Sequence, residues 1–293
     1  MSDPISLAAG ALRAVIAPGL GASILSFTHA GGDILRPATP AALAGGQVRL
    51  TGGYPMLPFA NRIADGRFLF AGRWHRIRPN FPDLGPHALH GSGWQRAWTL
   101  VESGPAHLSL TLAHIPAAEG DWPFAFTAGL EYRLTPAGLD VGMRLVNDSA
   151  GMAPAGMGLH PNFRRVPGAM LRFSALSHWR PGPDGLPASV SMPPDPDFRH
   201  GRLLDDSVLD GDFPGWAGIA HVTGLAPGLL VSLRADRLFG TLRVFTPTAR
   251  DFFGLEPVTH GANAINQPEL PPMAILAPGA ALSGTISILA EPI

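Results

Sequence analysis

The segment "FGLEPVTHGANAIN", Phe253 to Asn266, carries Glu256, Thr259, His260, Asn263 and Asn266 with neither a helical nor a two-residue apolar period. A carboxylate between Leu255 and Pro257 in so irregular a stretch marks either a solvated loop or the shaped wall of a pocket. Four other segments concentrate reactive groups in the same way. "GGYPMLPFANRIADGRF" (52–68) holds Asn61, Arg62, Asp65 and Arg67, and "HALHGSGWQRAW" (87–98) holds His87, His90, Trp94 and Trp98. "GMGLHPNF" (156–163) holds His160, and "VLDGDFPGW" (208–216) holds Asp210 and Asp212.

Each residue also has a plain structural reading. His87-x-x-His90 has metal-ligand spacing, but it lies between Pro86 and Gly91, where no helical turn aims both rings at one point. With no third ligand within reach along the chain, no metal is expected. His160 before Pro161 fits a hydrogen-bonded loop histidine, and Asp210 and Asp212 fit turn formers. Arg62 can pair with Asp65, and Trp94 and Trp98 can fill a core.

What is missing narrows the chemistry. The chain has no Cys, which excludes thiolate nucleophiles, disulfides and Cys-ligated metal centres. All 21 basic residues are Arg, so Schiff-base, pyridoxal phosphate and P-loop lysine chemistries are excluded too. Gly-x-Ser-x-Gly, Gly-x-Gly-x-x-Gly and His-Glu-x-x-His do not occur. His, carboxylates, hydroxyls, Arg and amides remain. A formal net charge of -1 gives no basic field for nucleic acid. No apolar run approaches the ~20 residues of a membrane helix. The N-terminus, with Asp3 and Arg13, makes a poor signal peptide, so a cytoplasmic protein is expected.

The elements that must position these groups read as strands. "HLSLTLAH" (107–114) puts Leu108, Leu110 and Leu112 on one face, and "LDVGMRLVN" (139–147) repeats the alternation. "TPAG" (135–138) reads as the hairpin turn between two such runs, and "HAGG" (29–32) as another. "GLLVSLRA", "TLRVF" and "LSGTISIL" continue the pattern late in the chain. Gly (36) and Pro (31) punctuate these runs, and no window of 12 or more residues shows a helical stripe free of both. The expectation is an all-β chain, a sandwich or barrel, with the polar motifs on long irregular connections. The proline-dense stretch 181–197 is expected to be a surface loop, and residues 1–293 a single domain.

Taken in order, the five polar segments resemble the signature regions of the aldose 1-epimerase (galactose mutarotase) family. "PFANRIADGRF" is similar to that family's Pro-aromatic-Ser-Asn-Arg-Ile…Gly-x-Phe, and "LHGSGWQRAW" to its Leu-His-Gly…Trp. "GLHPNF" resembles its His-Pro-Tyr-Phe, "LDGDF" its Asp-x-x-Phe, and "LEPVTHGANAIN" its Glu-Pro-x-Thr-His…Ala-x-Asn. With the N-terminal "GGDIL", the likeness spans nearly the whole chain. It implies a large antiparallel β-sandwich, the galactose mutarotase-like supersandwich, with a cleft on one sheet. It implies Glu256 as general base and His160 as general acid. His90, Arg62 and Asp210, with Asn61 beside them, match sugar-binding positions, and the role of Asp212 against Asp210 stays open. No cofactor is implied; the partner is a monosaccharide, hexose or pentose, and the chain is expected as a monomer or homodimer. Asn162 departs from the family's Tyr, and Phe59-Ala60 from its Tyr-Ser.

The reaction so implied suits the inventory. Interconverting anomers needs a base for the C1 hydroxyl proton and an acid for the ring oxygen, and positioned acid–base catalysis is typically worth about 10²–10⁴-fold. Arg62, Asn61, His90 and Asp210 suit the hydrogen bonding of a sugar. Glu256 is expected to be ionised at rest and His160 at least partly protonated, with an inflection near the ~6.5 of an ordinary His. The alternatives are an epimerase of hexose 6-phosphates using Arg62, Arg67, Arg164 and Arg165, and a carbohydrate-binding protein without catalysis. A glycoside hydrolase would instead pair Asp210 with Glu256.

Overall fold

The computed structural model describes residues 3–81, 85–204, 208–248 and 250–293. Alternating runs become half-buried strands, as in His107–His114, where Leu108, Leu110 and Leu112 turn inward. The Thr135–Gly138 hairpin joins Phe126–Thr135 to Gly138–Asn147 in a ten-residue ladder. The "HAGG" hairpin also forms, with a second strand of two residues, Gly32–Asp33. Helix is confined to short pieces among the described residues. The one-turn helix Pro40–Ala44 has Thr39 accepting the Ala42 N–H at its N-cap.

Two large sheets result, and the ladders between their strands are antiparallel. The nine-stranded sheet runs Thr99–Ser103, His107–His114, Phe126–Thr135, Gly138–Asn147, Ala281–Pro292, Leu229–Ala235, Ile219–Thr223, Met170–Phe173, Arg202–Leu203. The eleven-stranded sheet begins with Ile5–Ala9, Leu12–Ala17, Ser23–His29 and Gly53–Met56. It continues through Gly158–Arg164, Phe252–Val258, Thr241–Phe245, Asp210–Pro214, His178–Pro181 and Pro187–Ser191. Gly32–Asp33 is its eleventh strand, paired off this path.

The inner faces of both sheets share one apolar core, in which Leu7, Phe27, Leu110, Val141 and Ile288 are wholly or almost wholly buried. Burial of each such side chain contributes about 1.5–3 kcal/mol. Tyr132 ties the layers together by donating its hydroxyl to the Ala22 carbonyl at 2.6 Å. The fold is therefore the expected all-β supersandwich.

Two expectations about the connections change. "GLHPNF", "DGDFP" and the first half of the Glu256 segment are strands, not irregular connections. All seven residues of Phe252–Val258 are buried, which erases the alternation that would have marked the strand. The stretch 181–197 is in part a hairpin arm: Pro187–Ser191 pairs with His178–Pro181 at the end of the large sheet.

Candidate active site

Antiparallel register lines up one row of side chains across five neighbouring strands. Tyr54 stands opposite His160, Glu256 opposite Arg243, and Arg243 opposite Asp212. Gly158 opposite Val258 and Asn162 opposite Gly254 bring His160 level with Glu256. Cross-strand neighbours lie about 4.5–5.5 Å apart at Cβ and point to the same face. The next row in the same direction is Asn162, Gly254, Phe245 and Asp210. A stacked aromatic, an imidazole, a carboxylate, a guanidinium and a second carboxylate thus sit shoulder to shoulder.

His160 Nε2 lies 3.1 Å from Glu256 Oε1, and both side chains are almost wholly buried. Tyr54 stacks on the His160 ring with centroids 4.6 Å apart. Arg243 donates to Asp212 Oδ1 at 2.7 Å and through its other terminal nitrogen to Asp210. Asp212, 2% exposed, also accepts the Ala262 N–H at 2.8 Å. Asp210 keeps a third of its side chain open and lines the cavity. The settings of the two therefore separate: Asp212 anchors Arg243 and the chain after the Glu256 strand, and Asp210 faces the cavity.

The opposite wall comes from a small ladder, Arg62–Ile63 against Ala88–Leu89. His90 Nδ1 accepts the Asn61 N–H at 2.9 Å, and His87 Nδ1 accepts the Asp65 N–H at 3.0 Å. The His-x-x-His spacing is thus a pair of staples between two segments. Asn61 (φ 58°) and His90 (φ 56°) both take left-handed backbone, a strain of the kind that persists where surrounding contacts fix it. Arg62 does not pair with Asp65 as a surface ion pair; its NH1 donates to the Gly185 carbonyl at 3.2 Å, so the tip of the 178–191 hairpin closes one side of the site. His260 is structural, accepting the Ala60 N–H on Nε2 and bonded to the Gly261 carbonyl through Nδ1. Trp94 and Trp98 are buried packing residues whose indole N–H groups bond backbone carbonyls.

Arg49, Tyr54, Asn61, Arg62, His90, His160, Asp210, Arg243 and Glu256 enclose a cavity of about 100 Å³. It adjoins a second hollow of similar volume lined by Arg49, Tyr54, His160 and Arg250. The six residues singled out from the sequence, Glu256, His160, His90, Arg62, Asp210 and Asn61, all line the first. Arg243, Tyr54 and Arg49 were missed. The one trace of Arg243 in the sequence is a charge inside the alternating run "TLRVF", an unusual place for an unpaired arginine. A larger hollow of about 350 Å³ contains His114 and Asp121, but both are committed to local backbone bonds.

Burial sets the protonation of the central pair. It drives the Glu256 carboxyl up to about 8; Arg243 opposes this, while Asp210 and Asp212 add to it. Burial likewise drives His160 down to about 3, and His90 well below the usual range. Arg243 and Arg62 favour the Glu256 carboxylate, but burial outweighs them. Burial thus runs against the expected ionised Glu256 beside a protonated His160 and favours a neutral hydrogen bond with the proton on Glu256.

The nitrogen and oxygen atoms of His90, His160 and Glu256 lie within 4.8 Å of one another, close enough for a metal ion. The donor set does not suit one. Because His90 Nδ1 accepts a backbone N–H, the neutral ring carries its hydrogen on Nε2 and offers a donor, not a lone pair. That donor suits a hydroxyl oxygen. Arg62 Nε, His160 Nδ1 and Glu256 Oε2 are buried without a well-aligned protein partner, although buried polar atoms are nearly always paired.

The sequence model of the aldose 1-epimerase family matches residues 3–289. The uncharacterized protein YphB of Escherichia coli K12 is 27% identical over 247 residues, 81% of this chain and 83% of that protein. The crystal structure of a candidate aldose 1-epimerase from Escherichia coli K12 superposes with a TM-score of 0.89 at 25% identity, covering 99% of each chain. A GalM/aldose epimerase homologue from Caenorhabditis elegans shares the fold at TM-score 0.86 and 18% identity, over 100% of both chains. Matched over almost its entire length, the chain belongs to the aldose 1-epimerase family.

Proposed function

We propose that the protein is a cofactor-independent aldose 1-epimerase that interconverts the α and β anomers of an unphosphorylated aldose, with Glu256 as base and His160 as acid. The observation that carries this reading is the buried 3.1 Å Glu256–His160 contact at the floor of a polar cavity. The pair holds a single proton between about pH 3 and about pH 8. Shifting that proton from Oε1 to Nε2 creates the base and the acid together, without exchange with solvent. Glu256 then takes the C1 hydroxyl proton while His160 Nε2–H protonates the ring oxygen. The C1–O5 bond breaks and an aldehyde forms. After rotation about C1–C2, His160 Nε2 takes the proton back from O5 as that oxygen attacks C1, Glu256 returns its proton to the aldehyde oxygen, and the ring closes on the other face.

The surrounding residues match the needs of a sugar. Arg62 and the His90 Nε2–H donate to hydroxyl oxygens, Asp210 accepts from a hydroxyl, and Asn61 accepts the Arg62 N–H on Oδ1 and donates its own N–H to the His90 ring. Arg243, whose basicity burial would lower but Asp210 and Asp212 raise, supports the Glu256 carboxylate once it forms. A mere binding protein needs neither a buried acid nor a base.

One observation favours a second reading, an epimerase of hexose 6-phosphates. Arg49 and Arg250 line the hollow beyond His160. The arginines considered from the sequence do not cluster: Arg67 lies over Trp74, Arg164 pairs with Asp33, and Arg165 binds backbone carbonyls.

The test is the optical rotation of freshly dissolved α-anomers of several aldoses, with wild type, Glu256→Gln and His160→Ala side by side. Faster decay with wild type, lost in both variants, supports the reading. Activity confined to 6-phosphates supports the second, and inertness toward both overturns catalysis.

A further inference from the structure

Two contacts hold the His160 ring: Tyr54 fixes its plane, and Glu256 engages Nε2. Its Nδ1 is buried without a well-aligned partner. On the strand Gly158–Arg164, His160 and Asn162 are two residues apart and point to the same face. Asn162 is fully buried, and its Nδ2 donates to the Thr51 carbonyl at 2.8 Å. That bond orients the amide and leaves Oδ1 as the free end. Neither Asn162 Oδ1 nor His160 Nδ1 has a well-aligned partner, and the backbone of His160 itself is the other group that raises the basicity of the ring. The Asn162 side chain is also the hydrogen-bonding side chain that raises the basicity of His160 against its burial. In this structure the two atoms fall short of full alignment.

We propose that Asn162 is a positioning residue for the acid–base pair: its Oδ1 accepts the Nδ1–H of His160. This selects the tautomer whose Nε2 trades a proton with Glu256 and, on the reading above, with the ring oxygen of the sugar. A ring free to place its hydrogen on Nε2 would turn a donor toward the Glu256 proton, and the relay between the two would stop. The charged and titratable groups around the ring are Glu256, Arg243, Arg49, His90 and Tyr54. None of them is placed to accept from Nδ1.

The identity of the acceptor matters. A carboxylate at 162 would be a fourth acid beside Glu256, Asp210 and Asp212, and would hold His160 permanently cationic. A neutral amide supports the imidazolium when it forms without pinning it there. The Asn in place of the family's Tyr is therefore assigned a role in the chemistry of this chain and not in sugar choice.

The proposal rests on the mutarotase reading for its kinetic consequence but not for its spectroscopic one. In ¹⁵N NMR of histidine-labelled protein, the His160 ring is assigned by its loss in His160→Gln. The wild type at neutral pH is expected to show hydrogen on Nδ1 and a bare, hydrogen-bonded Nε2. Asn162→Leu, close in volume, is expected to give mixed tautomers and a kcat lower by about 10–100-fold with KM little changed. Asn162→Asp keeps an acceptor but loses the donor to Thr51. It is expected to keep hydrogen on Nδ1, now in the imidazolium with hydrogen on Nε2 as well, and to move the alkaline limb of the kcat profile to higher pH. Hydrogen on Nε2 in the wild type overturns the proposal even if no variant folds, and so does an unchanged ring spectrum in Asn162→Leu. Equal damage from Asp and Leu, with the ring spectrum retained in both, would make the Thr51 bond the whole role and also overturn it. Absence of mutarotase activity with the expected spectra would remove the proposed function and leave the positioning standing.

Discussion

Gly254 lies between Asn162 and Phe245 in the row next to Glu256 and His160, and its missing side chain leaves room for both. A Cβ added there would lie 3.2 Å from Glu256 Oε1, 3.3 Å from His160 Cε1 and 3.5 Å from Phe245 Cβ. The backbone is ordinary extended strand, so Gly254→Ala introduces no dihedral strain. The methyl acts as a wedge, and each partner must give by a few tenths of an ångström. If a misplacement near 1 Å costs about 10²-fold in rate, a shift of this size costs about 4–10-fold in kcat. Added apolar surface against Oε1 also disfavours the Glu256 carboxylate further, in the same direction. Stability falls by about 0–2.6 kcal/mol, because overpacking costs about 1–3 kcal/mol and Gly→Ala returns only about 0.4–1 kcal/mol from a stiffer unfolded chain. Polarimetric rates at saturating aldose, set beside urea denaturation, separate the two effects. Wild-type kcat in a folded Gly254→Ala protein would refute the argument that the pair needs its 3.1 Å contact. A rate that falls only with the folded fraction would refute it as well.

Three other outcomes are expected. The kcat/KM profile should be flat through pH 6.5, falling below about pH 3 as Glu256 stays protonated beside a charged His160, and above about pH 8 as the pair loses its proton; an inflection near 6.5 would show that burial does not set these groups. Folded Glu256 keeps a proton that the unfolded chain releases above its ordinary 4.5, so this residue makes stability fall as pH rises from about 4.5 to about 8. His160 acts oppositely, adding stability as pH rises from about 3 to its ordinary 6.5, and Glu256→Gln should abolish the falling limb in denaturant titrations at pH 5 and pH 8. Gly185→Val should raise KM more than it lowers kcat, because the new Cβ would meet the Arg62 guanidinium at 2.8 Å and the residue sits at φ +76°; an unchanged KM would detach the hairpin tip from the site.

Local sequence determined a good deal of this molecule. Strands with one face in the core announced themselves, because alternation at 107–114 and 139–147 is a local consequence of one wet and one dry side. The turn at 135–138 was equally legible from Thr, Pro and Gly. Glu256, His160, His90, Arg62, Asp210 and Asn61 were singled out by the likeness of five ordered motifs to the aldose 1-epimerase family, because local sequence left a plain structural reading open for such residues. Tertiary structure decided what depends on groups far apart in sequence. The strand around Glu256 had no period because both of its faces are covered. Arg243 and Tyr54 join the site only because antiparallel register sets them beside Glu256 and His160. The hairpin at 178–191 closes on Arg62 across more than 100 residues. Protonation was the furthest from reach: whether Glu256 holds a proton depends on the burial and the four charges packed around it, and no stretch of sequence contains them all.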